Sequence, residues 1–223
     1  MTLESWLMIA AALVANVLSA YFLLKDPGIN KIKDDGFLVV SRKIMLVYSA
    51  VAIAVNIGIS LLFALYYKDN GVLFSLKRLF MLAVLWPVGL IDLKTYRIPN
   101  KFILFGLCLR AFVLVFELLF ARTGILYVLL SEIIAALALG LASFLCSICL
   151  KNSIGFGDIK LFIVMGLMLG LLGIWSAIFV SLVIAFVVSI VLLISRKKGK
   201  KDVVPFAPSI MLGTYISIVL TGM

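Results

Sequence analysis

The sequence predicts an all-α membrane protein, a polytopic bundle of about eight transmembrane helices. Three observations lead there. Of 223 residues, 65% are hydrophobic and only 13% are charged, where a soluble domain is about half apolar and a quarter charged. Mean hydropathy is +1.28. The apolar residues fall into successive runs of roughly twenty, the length that crosses a hydrocarbon core of about 30 Å.

The first run covers residues 3–24. Met1-Thr2-Leu3-Glu4 has no basic flank, so the run reads as a retained span and not a signal peptide. A polar stretch at 25–43 follows, with Asp26-Pro27-Gly28 as its turn signal. The second run, 44–67, closes on Tyr66-Tyr67, an aromatic pair suited to a membrane interface. The third covers 72–92; Lys77 and Arg78 in its first turns are expected to snorkel to the headgroups. Pro87 is expected to kink its second half.

The fourth and fifth runs cover 101–121 and 125–150. The sixth, 159–174, is short, and the seventh, 175–195, follows at once, with Gly170-Leu-Leu-Gly173 as the only turn signal between them. The eighth covers 204–222 after a basic loop. Residues 1–71 are thus two N-terminal spans joined by a short basic loop, and 72–223 a six-span core.

Orientation follows from the loops. Fifteen of the 20 Lys and Arg fall within 25–43, 93–101, 151–160 and 196–201, against Lys68, Lys77, Arg78 and Arg122 on the other side. The positive-inside rule places the first set in the cytoplasm. The formal net charge of +10 is largely this signal, together with attraction to anionic lipid headgroups. Nucleic acid is not an expected partner, because no basic surface with interleaved aromatics lies outside the membrane frame.

There is no histidine, which removes the commonest general base and metal ligand together. Cys146 and Cys149 have CxxC spacing, but the second pair of a structural zinc site is absent. With Cys108 they read as packed or lipid-facing residues, and no metal or cofactor is expected. Carboxylates remain. Asp92 closes the third run and Asp158 opens the sixth, both on the cytoplasmic side. Each has a bland reading: Asp92 as an interfacial acid paired with Lys94 or Arg97, and Asp158 as a helix-start acid favoured by the dipole. Together they fit an aspartyl pair, in which one carboxyl stays protonated and the two titrate as a unit. Gly155 and Gly157 let backbone come close to a substrate strand. Pro99-Asn100 reads as a helix entry with Asn100 as N-cap. Arg97 and Lys160 would hold anionic headgroups or bias the acid pair. Arg110, Glu117 and Glu132 lie inside spans, where pairing of Arg110 with either acid is the first reading and an ion path the second.

Three ordered blocks carry a resemblance. Asp92-Leu-Lys-Thr-Tyr-Arg-Ile-Pro-Asn100 resembles the aspartate-plus-IPN block of the type IV prepilin peptidases. Gly155-Phe-Gly-Asp158 matches their GxGD motif, which presenilin-like proteases share. Val204-Pro-Phe-Ala-Pro208 is similar to their PFGP block, with Ala207 in place of glycine. The likeness covers residues 72–222. It implies a membrane aspartic endopeptidase with Asp92 and Asp158 catalytic. The cleavage would fall after a glycine, between a short basic leader and an apolar helix. Type IV prepilins, pseudopilins or preflagellins would be the substrates, at the plasma (inner) membrane. The family's methyl-transferring form carries a cytoplasmic domain with two CxxC pairs. The loop at 25–43 is short and holds no cysteine, so the likeness is to the short peptidases of tight-adherence pili or to preflagellin peptidases. A presenilin-like protease of other substrates and a proton-coupled transporter are the alternatives.

Overall fold

The computed structural model describes residues 2–25, 41–120, 124–149, 155–194 and 205–222. Within them the chain forms α1 (Leu3–Lys25), α2 (Arg42–Tyr66), α3 (Val72–Thr95), α4 (Asn100–Phe120), α5 (Ile125–Cys149), α6 (Phe156–Ile194) and α7 (Ala207–Thr221). The first six are long and apolar enough to cross a membrane, and α7 is a shorter apolar helix. This is a multi-pass membrane protein. Most of the loop expected at 25–43, the basic loop at 196–202, and Asn152 to Ile154 lie outside the described residues.

Of the eight expected spans, the sixth and seventh are the two arms of α6, and the eighth is the shorter helix α7. The continuity of α6 breaks at Gly170, whose φ of 68° and ψ of −177° belong to glycine alone. The contacts on either side show that the chain doubles back. Along the first arm, Ile163 lies beside Gly140, Gly166 beside Ala136, and Gly170 beside Ser131, so this arm runs antiparallel to α5. Along the second, the Ser176 and Ser217 hydroxyls are 2.7 Å apart and Ser181 donates to the Ile210 carbonyl, so that arm runs antiparallel to α7. The boundary thus sits at the first glycine of the turn signal, several residues before the expected 174–175.

The helices differ in how they are buried. Every residue of α3 from Ser75 to Asp92 is buried, whereas α4 buries only Phe102, Ile103, Gly106, Arg110, Val113 and Glu117. That three-to-four spacing marks one helical face. On α1, α2 and α5 the buried face is mostly Ala, Ser, Asn and Gly. In a bilayer the apolar side chains gain nothing by leaving lipid, so helices meet where small residues let backbones approach and polar ones bond across. The Asn16 side-chain oxygen accepts from Asn56 (2.5 Å) and from the Trp86 indole (3.2 Å), and the Asn56 oxygen accepts from Tyr215 (2.7 Å). These bonds join α1, α2, α3 and α7, at about 0.6 kcal/mol each in a membrane. The N-terminal pair therefore packs directly on the central helix, and Ser19 also donates to the Ala83 carbonyl at 2.7 Å.

Two expectations about charged and aromatic residues are corrected. Lys77 and Arg78 do not snorkel; they are 2% and 4% exposed. Lys77 pairs with Glu117 at 2.8 Å and also with Glu132, and Arg78 reaches the carbonyls of Phe74 and Leu169. Acids on α4 and α5 face them, so burial satisfies the charges where a headgroup would otherwise have to. Tyr66 is exposed as a belt residue would be, but Tyr67 turns inward and donates to the Val219 carbonyl at 2.8 Å. The expected pairing of Arg110 is present, with Glu117 at 2.9 Å and with Glu132. Pro87 lies inside α3.

Candidate active site

Asp92 sits in the last turn of α3, inside the helix and not in the loop beyond it. The helix stops at Tyr96, which adopts a left-handed conformation (φ 51°, ψ 32°) and donates its N–H to the Asp92 carbonyl at 2.9 Å. Tyr96 is the one non-glycine residue with positive φ among the described residues. Pro99, three residues on, cannot continue a helix and starts the next one; its carbonyl accepts from Phe102 at 3.1 Å. The chain is thereby turned within a few residues from Asp92 into α4.

Asp92 is only 6% exposed. Its Oδ2 accepts the backbone N–H of Ala207 at 3.0 Å. Ala207 opens α7 behind Phe206, with a proline in the helix's first two positions, so the donor belongs to the positive end of a helix dipole. The carboxylate is held by main chain, a partner that the bland pairing with Lys94 or Arg97 does not include.

Asp158 lies in the first turn of α6, where its N–H donates to the Gly155 carbonyl at 3.0 Å. It is partly exposed, and the two carboxylates lie within electrostatic reach of each other. Phe162, one turn further along α6, packs edge to face on Phe206 with centroids 6.1 Å apart. The two acids thus meet where the ends of α3, α6 and α7 converge.

The remaining predicted residues occupy definite places. A Cβ on Gly157 would stand 3.0 Å from the Ile98 Cβ, and one on Gly155 would stand 3.2 Å from the Asp158 Oδ2. The missing side chain of Gly157 therefore faces the Ile98 segment of the protein itself. Asn100 is not the expected N-cap. It is the first helical residue of α4, and its side-chain oxygen accepts from the Lys160 ammonium at 2.9 Å. A charged donor outcompetes a helix amide for that oxygen. Lys160 is thus tied to α4, while Arg97 is exposed and Pro99 half-buried. Cys108, Cys146 and Cys149 are free and exposed.

The model of the Type IV leader peptidase family matches residues 79–194, more than half of the chain and both acids. The chain belongs to that family. Its peptidase and multi-pass membrane character follow from that membership and from the helices described above. No curated protein and no solved structure matches the chain. The matched segment runs from α3 through α6 and stops before α7, although the amide that holds Asp92 comes from α7. Reading the sequence for reactive side chains gave Ala207 and Ile98 no role, because a backbone N–H and an aliphatic spacer carry no chemical signature. Their membership of the two blocks that carry the family resemblance was the available signal.

Proposed function

We propose that this leader peptidase family member is an aspartic endopeptidase. It removes the short basic leader of type IV prepilin-like or preflagellin substrates and cleaves after a glycine on the cytoplasmic side. One observation supports this most: the fold converges on two carboxylates, Asp92 on α3 and Asp158 on α6, in a chain without histidine. Two carboxyls that share a site favour one proton between them. The ionised one takes a proton from water as the water oxygen attacks the scissile carbonyl carbon, and the protonated one donates to the carbonyl oxygen. Collapse of that tetrahedral species breaks the C–N bond and returns a proton to the leaving amine.

Burial of Lys77 and Arg78 supports the cytoplasmic placement. With those two and the buried Lys94 removed, Lys68 and Arg122 remain on the outer side against fourteen on the other. Leader and loops are both basic, so they do not attract each other. The leader would lie in the anionic headgroup layer, worth about 1 kcal/mol per charge, while the substrate's apolar helix approaches from the bilayer. The test is the purified chain in liposomes of neutral and anionic lipid, given a prepilin with a Gly-Phe or Gly-Glu junction. The expected product begins at the residue after glycine and forms faster with anionic lipid. An intact substrate in both lipids overturns the proposal.

A further inference from the structure

Among the described residues, Lys77, Arg78, Arg110, Glu117 and Glu132 are buried at the end of the bundle remote from Asp92 and Asp158. The proposed chemistry uses none of them. Lys77 and Arg110 each pair with both acids, and Arg78 lies over the Phe74 ring at 3.2 Å. Pairing with the two acids explains why Lys77 and Arg110 are tolerated there but not why the cluster is there.

The bonds that leave the cluster supply the reason. Arg110 Nε donates to the Leu167 carbonyl at 3.0 Å, and the Arg78 guanidinium to the Leu169 carbonyl at 3.1 Å. Ser131, next to Glu132, accepts the Leu171 N–H at 3.1 Å. All three partners flank Gly170, where the first arm of α6 ends. A helix that stops leaves its last four carbonyls without intrahelical partners. Inside a bilayer no water replaces them, and cations are the groups that a helix C-terminus favours. The arm is also gripped along its length, since a Cβ on Gly166 would stand 2.6 Å from the Ala136 backbone. A shift at its end therefore moves the whole arm.

We propose that Arg110 and Arg78 are positioning residues that clamp the Gly170 end of the first arm of α6. They thereby set the register at which Asp158, twelve residues or about 18 Å away, meets Asp92. The role in catalysis rests on the aspartic-peptidase reading; the clamp itself does not.

The test uses the full chain in liposomes, with Cys108, Cys146 and Cys149 changed to Ser. Ile98→Cys and Gly157→Cys then place two thiols where the arm meets the Asp92 loop. Their Cβ atoms, 3.0 Å apart before any adjustment, must separate to reach disulfide geometry. Rates of disulfide formation are therefore compared only between chains that carry both, and the differences read the arm's register without any substrate. Two matched variants each remove one cation and one anion. Lys77→Leu/Glu117→Leu leaves both α6 carbonyls capped, and Arg110→Leu/Glu117→Leu uncaps Leu167. The first is expected to cross-link at the parent rate. The second is expected to cross-link at least fivefold more slowly. With Ile98 and Gly157 intact, it is also expected to lose about tenfold in kcat at unchanged KM. Equal behaviour of the two pairs overturns the clamp. If the Arg110 pair does not accumulate in the membrane, Arg110→Lys decides, because it keeps the charge and loses the fork: slowed cross-linking supports the clamp, and the parent rate overturns it. A cross-linking response in a chain that never cleaves a prepilin strikes the peptidase reading and leaves the clamp standing.

Discussion

Gly157 and Ile98 are in contact across the site: a Cβ at position 157 would stand 3.0 Å from the Ile98 Cβ and 3.6 Å from its backbone N. The first turn of α6, which carries Asp158, thus rests on the segment between Asp92 and Asn100. A Val at 157 has no room there and must push the turn away. Gly157→Val is expected to insert normally and to cleave at least about tenfold more slowly, the scale at which an ångström of displacement matters in a positioned site. Ile98→Gly, which removes the opposing Cβ, should recover part of the loss. A fully active Gly157→Val would show that the contact is incidental.

The Ala207 amide makes a second separable prediction. Ala207→Gly keeps the N–H that Asp92 accepts and should cleave like the parent. Ala207→Pro deletes the donor and is expected to lose at least about tenfold in kcat. Phe206 has ψ of −32°, a conformation disfavoured before proline. Thermal unfolding in detergent is therefore measured alongside, to separate lost stability from lost activity.

Gly213 should matter for stability alone. A Cβ there would stand 2.5 Å from the Ser181 backbone. Overpacking of this kind costs about 1–3 kcal/mol. Gly213→Ala should lower the melting temperature while kcat per folded molecule changes little; an unchanged melting temperature would mean that α6 and α7 are less tightly apposed than described.

A cysteine-free chain should retain full cleavage, since Cys108, Cys146 and Cys149 are all exposed. Loss of activity on changing Cys146 or Cys149 to Ser would instead point to a thiol in the reaction.

Run length and charge made the elements legible in the sequence, because a span needs about twenty apolar residues whatever it packs against. The two acids were legible for the complementary reason: a carboxylate at the edge of an apolar run is costly unless it has a task. What each helix faces was not legible. Lipid and core are both apolar, so nothing in the hydropathy of α3 says that it is the buried centre, and it is in fact the least apolar of the six long helices. Lys77 and Lys160 show the same limit for charges. Both are lysines in the first turns of a helix, yet one is buried between two acids and the other is exposed and bonded to Asn100. Only the partners, contributed by other helices, distinguish them. The turn at Gly170 was anticipated as a glycine-rich break, but its caps, Arg78 and Arg110, come from α3 and α4, and sequence spacing does not reveal them.

The central claim is that Asp92 and Asp158 act as one unit, and Asn replacements test it most directly. Initial rates of leader cleavage are measured for Asp92→Asn, Asp158→Asn and the double variant, in liposomes and at matched amounts of inserted protein. Groups that act together are not additive, so each single variant is expected to fall to the background rate and the double variant to fall no further. A single variant that keeps a tenth or more of the parent rate, or a double variant whose loss is the product of two partial ones, would contradict the dyad.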